Sequence, residues 1–124
     1  MGKTLLVVED DETIRLAMNR VFCDEGFNVL SVSDGKELFQ VLGQHKVDLI
    51  LLDVGLPWVD GFQLAELMQS YDSVKNIPVI FVSGEKELSK IKKGFKVGAF
   101  DFITKPFDLK KLKKSVFTVI DMQN

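Results

Sequence analysis

Five short apolar runs, rich in β-branched residues, alternate along this chain with segments of helical period. The runs cover residues 4–8, 27–32, 48–52, 77–82 and 100–104. Between and after them, apolar residues recur every three or four positions, as on one face of a helix, within residues 14–22, 38–42, 62–68, 88–95 and 109–120. A strand followed by a helix, five times over, predicts an α/β fold whose parallel sheet is covered by helices on both faces.

Length and composition favour one globular domain over residues 1–124. The chain has 124 residues, 46% of them hydrophobic, which is enough for a single core and too apolar for a disordered protein. No apolar run is long enough to span a bilayer, and the N-terminus has no signal-peptide pattern. Cys23 is the only cysteine, so no internal disulfide can form, which is typical of the cytoplasm. Cys23 lies in a helical pattern between apolar residues, which predicts a buried, structural thiol.

Charged and polar side chains collect where the predicted strands end. Glu9 and Asp10 follow the first run, Asp53 follows the third, Ser83 the fourth and Lys105 the fifth. In an open parallel sheet, ligands bind outside the carboxyl ends of the strands, where the strand order reverses. We therefore expect these five residues to share one crevice. Asp11 and Glu12 are better explained as an acidic helix start, which the helix dipole favours.

The residue types in this crevice suit phosphoryl chemistry. Clustered carboxylates repel one another, and Lys105 supplies only one positive charge, so a divalent cation is expected. An all-oxygen set with few ligands suits Mg²⁺, which keeps several waters. Asp53 then lies where a carboxylate can attack phosphorus, with Ser83 and Lys105 stabilising the transferring group.

These motifs resemble the receiver domain of response regulators in two-component signalling, over residues 4–121. The matching stretches are LLVVEDD, LILLDVGLPWVDG, PVIFVSG and GAFDFITKPF, in the family's order and at its spacing. The resemblance implies a CheY-like doubly wound (βα)5 three-layer sandwich, with strand order 2-1-3-4-5. It also implies a signalling domain and not an enzyme with an external substrate, although it catalyses its own phosphorylation and dephosphorylation.

The resemblance assigns a role to each matching residue. Asp53 would accept a phosphoryl group from a sensor histidine kinase or a phosphotransfer protein. Mg²⁺ would bind Asp10, Asp53 and the backbone carbonyl of Gly55, and Glu9 mainly through water. Lys105 would pair with the phosphate, and the Lys105–Pro106 bond would be cis. Ser83 would move toward the phosphate, and Phe102, at the switch-aromatic position, would turn inward with it.

The same resemblance implies that the face of the fourth helix, fifth strand and fifth helix reports phosphorylation to an output protein or domain. That face would carry an excess of positive charge, since residues 86–124 hold ten lysines and four acids whereas residues 1–85 hold fourteen acids and six bases. Its lysines form either a solvated surface or one that steers an acidic partner. Direct nucleic-acid binding is disfavoured because no arginines or exposed aromatic residues are interleaved with them. The lysines concerned are Lys86, Lys90, Lys92, Lys93, Lys96, Lys110, Lys111, Lys113 and Lys114.

Two other classes of protein share parts of this pattern. A phosphatase of the haloacid-dehalogenase type also uses an aspartate nucleophile, a hydroxyl and a lysine, but it needs Asp-x-Asp after its first strand. Here Glu12 stands two places after Asp10. A flavin or nucleotide carrier can share the architecture, but neither GxGxxG nor GxxxxGK[ST] occurs in the chain.

Overall fold

The computed structural model describes residues 2–56, 60–84, 99–105 and 108–123. The helix expected near residues 88–95 and the cis bond expected at Pro106 lie outside this range. So do the lysines between residues 86 and 96.

Nine elements follow one another in the described residues, and each lies where the apolar pattern predicts it. They are β1 (Thr4–Val8), α1 (Glu12–Asp24), β2 (Asn28–Val32), α2 (Gly35–Gln44), β3 (Leu49–Asp53), α3 (Gly61–Met68), β4 (Val79–Ser83), β5 (Asp101–Thr104) and α4 (Leu109–Met122). Over these residues, no helix combines the length and the apolar character needed to cross a lipid bilayer.

The five strands form one parallel sheet in the order β2-β1-β3-β4-β5, which confirms the expected topology. Side chains alternate between its two faces, as the pleat requires. Leu6 and Leu52 belong to a core that includes residues of α2 and α3. Leu5 and Leu51 belong to a second core, which includes residues of α1 and α4. The molecule therefore has three layers, with β1, β3 and β4 buried at its centre.

An aspartate side chain caps the first turn of each described helix. These carboxylates accept hydrogen bonds from backbone N–H groups that would otherwise lack partners. The caps are Asp11, Asp34, Asp60 and Asp108. At the other end of α1, Gly26 adopts a φ of +94°, in the left-handed region that glycine reaches without a steric penalty.

Cys23 is exposed, so the prediction of a buried thiol is wrong. The residues of α1 that enter the core are Met18 and Phe22, four positions apart. Cys23 is one position further along, about 100° around a helix with 3.6 residues per turn, and therefore projects away from the sheet.

Candidate functional site

The site lies at the carboxyl ends of the central strands. From β1 the chain goes first to β2 on one side and then to β3 on the other, so the strand order reverses between β1 and β3. Glu9 directly follows β1, and Asp53 is the last residue of β3. This is the location where an open α/β sheet leaves a crevice for a ligand.

Asp53 is a nearly buried carboxylate, only 5% exposed. A buried carboxylate is costly unless hydrogen bonds and opposite charge compensate it. Its Oδ1 accepts a hydrogen bond from the Gly55 N–H at 3.0 Å, and its Oδ2 accepts one from the Lys105 ammonium at 3.2 Å. These two contacts hold the carboxylate at the mouth of the crevice in a fixed orientation.

Glu9 shares the same ammonium and is buried more deeply, at 1% exposed. Its Oε1 lies 2.8 Å from the Lys105 Nζ, and its Oε2 accepts a hydrogen bond from the Asp11 N–H at 3.1 Å. Burial raises the pKa of the Glu9 carboxyl to about 7; Lys105 opposes this shift and Asp53 adds to it. Glu9 therefore exchanges a proton near neutral pH when no cation is bound.

Lys105 forms an ion pair with both buried carboxylates. Burial acts to lower the pKa of its ammonium, but Glu9 and Asp53 together outweigh that effect and raise it. The lysine therefore stays charged.

Three carboxylates converge beside this lysine. Glu9, Asp10 and Asp53 each offer an oxygen, and these oxygens all lie within 4.8 Å of one another. Glu9 and Asp53 are buried while Asp10 is exposed, so the cluster opens to solvent on one side. Hard oxygen ligands with an open side fit Mg²⁺, which retains water when bound. A single ammonium cannot neutralise three carboxylates, and a divalent cation would supply the missing charge.

Ser83 and Phe102 lie on the neighbouring strands. Ser83 ends β4, is buried, and accepts a backbone hydrogen bond from the Lys105 N–H at 2.6 Å. Phe102 of β5 is partly buried against Phe81 and Phe62, with ring centroids 6.3 and 6.2 Å away. The structure thus brings Glu9, Asp10, Asp53, Ser83 and Lys105 to one end of the sheet, while Phe102 packs against Phe62 and Phe81.

Sequence reasoning missed two residues that contact the site. The Arg15 Nη1 donates a hydrogen bond to the backbone carbonyl of Glu9 at 2.9 Å. At Gly61, an added Cβ would lie 2.5 Å from the backbone oxygen of Asp53. Two features of the sequence could have indicated them. Arg15 lies one helical turn after Asp11, which caps α1, and Gly61 directly follows Asp60, which caps α3.

The described part of the basic face lies on α4 (Leu109–Met122). This is the fifth helix of the predicted pattern, since the fourth, near residues 88–95, lies outside the described residues. Lys110, Lys111 and Lys114 are exposed, and Lys113 forms an ion pair with Glu25 at 3.0 Å. This helix therefore presents positive charge to solvent.

A model of the response regulator receiver domain matches residues 5–117 of this chain. The match includes the three clustered carboxylates and Lys105.

Curated relatives agree with this match over nearly the whole chain. The probable transcriptional regulator ycf29 of Porphyra purpurea is 33% identical over 97% of this chain and 57% of its own length. Sporulation initiation phosphotransferase F of Bacillus subtilis is 31% identical over 94% of this chain and 92% of its own. The chain thus spans little more than half of the first relative and nearly all of the second.

Solved structures share the fold. The chemotaxis response regulator CheY4 of Vibrio cholerae superposes with a TM-score of 0.88 at 27% identity, over 96% of this chain and 99% of that one. The receiver domain of the Francisella response regulator 1452 gives a TM-score of 0.91 at 27% identity, over 99% and 100% of the two chains.

Proposed function

This chain belongs to the response regulator receiver domain family, and from that membership we propose that Asp53 is the acceptor of a phosphoryl group. The donor is a phosphohistidine on a sensor histidine kinase or a phosphotransfer protein. The observation that supports this assignment best is the Asp53 carboxylate itself, which is buried at a strand end and bonded to Lys105.

Each bond change in the transfer has a matching group. A carboxylate oxygen of Asp53 attacks phosphorus, and the phosphorus–nitrogen bond of the phosphohistidine breaks. The bonding pair leaves with the imidazole nitrogen, which takes up a proton. The product is an acyl phosphate on Asp53, whose added negative charge the Lys105 ammonium stabilises from its place 3.2 Å from the carboxylate. Ser83, at the end of the adjacent β4, donates a hydrogen bond to a phosphoryl oxygen.

Asp10, Asp53 and the backbone carbonyl of Gly55 are the groups that would hold Mg²⁺, with Glu9 acting mainly through water. When bound, the cation neutralises charge on the transferring phosphoryl group. The three side chains fit this role since their oxygens already lie within 4.8 Å of one another. Because burial raises the pKa of the Glu9 carboxyl to about 7, a proton competes with the cation there, and Mg²⁺ binding should strengthen as the pH rises.

Phosphorylation is read out through the face that includes β5 and α4. Ser83 moves toward the phosphoryl group, and Phe102, which is partly buried against Phe62 and Phe81, turns further inward with it. The exposed lysines of α4 then steer a downstream protein or output domain. Two curated relatives are named as a phosphotransferase and as a probable transcriptional regulator. The first name fits a phosphoryl group passed to a downstream protein, and the second fits control of an output domain.

We assign residues 1–124 to one such domain and place it in the cytoplasm. The family match supports the first assignment, and the single cysteine supports the second.

Intact mass measurement after incubation with acetyl phosphate and Mg²⁺ tests this function. Wild type should gain the mass of one phosphoryl group, and the gain should disappear with EDTA. Asp53→Asn should gain nothing. Asp34→Asn is the matched control, since asparagine caps a helix as well as aspartate and Asp34 caps α2, on another loop. It should gain as much as wild type. Equal gain by Asp53→Asn would refute the assignment.

A further inference from the structure

The backbone carbonyl of Glu9 lies just beyond the end of the sheet. The pairing of β1 with β2 ends at Val8 and Val32, and the Glu9 N–H still donates to the Val32 carbonyl at 3.1 Å. Glu9 is almost fully buried. A buried carbonyl beyond the ladder needs a donor from elsewhere, and Arg15 supplies it at 2.9 Å through Nη1.

Arg15 is itself held by the loop that it supports. Its N–H donates to the Asp11 carbonyl at 2.9 Å, and the Asp11 side chain caps α1 by accepting from Ile14 at 3.1 Å. The Asp11 N–H in turn donates to the Glu9 carboxylate at 3.1 Å. Together these hydrogen bonds connect the end of β1 to the first turn of α1.

The peptide that Arg15 holds joins Glu9 to Asp10. We infer that Arg15 is a positioning residue for the magnesium site, because it fixes this peptide and with it the direction of the Asp10 carboxylate. Asp10 is exposed, so its direction depends on the backbone before it more than on packing around it. The inference rests on the proposed function, in which Asp10 binds Mg²⁺.

The positioning role of Arg15 and its charge predict opposite effects on Mg²⁺ binding when the side chain is removed. The Arg15 guanidinium is bonded to the backbone carbonyl of Glu9, one of the three clustered carboxylate residues, and its positive charge there repels an incoming cation. Its removal should therefore tighten Mg²⁺ binding if charge alone matters. If Arg15 orients the Asp10 peptide, its removal should weaken binding, since losing a group that orients a metal ligand typically costs about 10- to 100-fold in affinity. The sign of the change therefore distinguishes the two roles.

Isothermal titration of the metal-free protein with MgCl2 measures this sign. Arg15→Met keeps the length of the side chain and removes both the charge and the donor. Arg20→Met is the matched control, with the same change of charge at an exposed position of the same helix. Arg15→Lys keeps the charge and a donor. Thermal unfolding by circular dichroism checks each variant, and Arg15→Gln replaces Arg15→Met if that variant does not fold.

We expect Arg15→Met to bind Mg²⁺ at least about 10-fold more weakly than wild type. Arg20→Met should match wild type, and Arg15→Lys should recover most of the loss. Unchanged or tighter binding by Arg15→Met would overturn the positioning role while leaving the metal site intact. Absence of binding by wild type would instead overturn the proposed metal site, and the inference with it.

Discussion

At the scale of single residues, Lys105 already pairs with two of the three carboxylates in the proposed magnesium site. Its ammonium pairs with Glu9 at 2.8 Å and with Asp53 at 3.2 Å, and both carboxylates are nearly buried. A divalent cation at the same carboxylates must compete with this lysine. The lysine would thus oppose metal binding at the proposed site, whereas the proposed transfer needs it to stabilise the phosphoryl group.

Replacing Lys105 with methionine should separate these two effects. We expect Lys105→Met to bind Mg²⁺ more tightly than wild type, because the competing charge is gone, yet to gain little phosphate from acetyl phosphate. Calorimetry and intact mass measure the two quantities. Lys110→Met, at an exposed position of α4, is the control and should change neither. Weaker Mg²⁺ binding by Lys105→Met would contradict the competition.

Glu9 should make the stability of the metal-free protein depend on pH. Its pKa is raised in the folded state from 4.5 to about 7, so between these values the folded protein binds more protons than the unfolded chain. This contribution to stability is complete below about pH 4.5 and is lost as the pH rises through about 7. At 1.36 kcal/mol per pKa unit it amounts to roughly 3 kcal/mol.

Urea unfolding in EDTA at about pH 5 and about pH 8 tests this dependence in wild type and Glu9→Gln. The glutamine has nearly the same shape but cannot titrate in this range. We expect the free energy of unfolding of wild type to fall more steeply with pH than that of the variant. Parallel pH profiles would show that Glu9 does not titrate in this range.

At the scale of secondary-structure elements, the start of α3 lies directly against the end of β3. A Cβ at Gly61 would lie 2.5 Å from the Asp53 oxygen and 2.8 Å from the Val54 Cα, and both atoms belong to the backbone. The Gly61 N–H also donates to the Val54 carbonyl at 3.1 Å. Helix α3 therefore supports the peptide that follows Asp53, the proposed phosphoryl acceptor.

Gly61→Ala should force this peptide to move and lower the free energy of unfolding by about 1–3 kcal/mol. It should also weaken Mg²⁺ binding, because Asp53 moves with the backbone. Gly43→Ala is the matched control within α2, where an added Cβ meets nothing within 4 Å. Alanine there should raise stability by about 0.5–1 kcal/mol. Urea unfolding measures both, and a neutral Gly61→Ala would refute the close contact.

The elements themselves could be predicted because the spacing of apolar residues along the chain follows from the geometry of strands and helices. Strand limits differ from the apolar runs by at most two residues, as at β4, which begins at Val79 although the run begins at Ile77. Pro78 has no N–H to donate, so the ladder there uses only its carbonyl, which accepts from Ile50 at 3.0 Å. Asp53 belongs to β3 despite its charge, because backbone pairing with Val82 does not depend on side-chain polarity.

The site could be predicted only as far as topology determines it. Parallel strands end at one edge, which explains why Glu9, Asp53 and Lys105 were expected together. That Arg15 would reach the Glu9 carbonyl depends on the angle at which α1 leaves β1, and no periodicity encodes that angle. The exposure of Cys23 depends on helix rotation in the same way.

At the scale of the whole molecule, the site should link metal binding to global stability. A ligand that binds only the folded state stabilises it by about 2.7 kcal/mol at 100 times its Kd. We expect MgCl2 at that concentration to raise the free energy of unfolding by this amount at about pH 8, where Glu9 has lost its proton. Sodium chloride of equal ionic strength should give much less. Equal effects of the two salts would indicate screening without a site.

Locating the phosphoryl group tests the central claim most directly. The protein is incubated with acetyl phosphate and Mg²⁺ and treated with borohydride, which reduces an aspartyl phosphate to homoserine, and its peptides are then sequenced by mass spectrometry. We predict homoserine at position 53, and at no other aspartate of the chain. Homoserine at another aspartate, with Asp53 unmodified, would contradict the assignment of Asp53 as the phosphoryl acceptor.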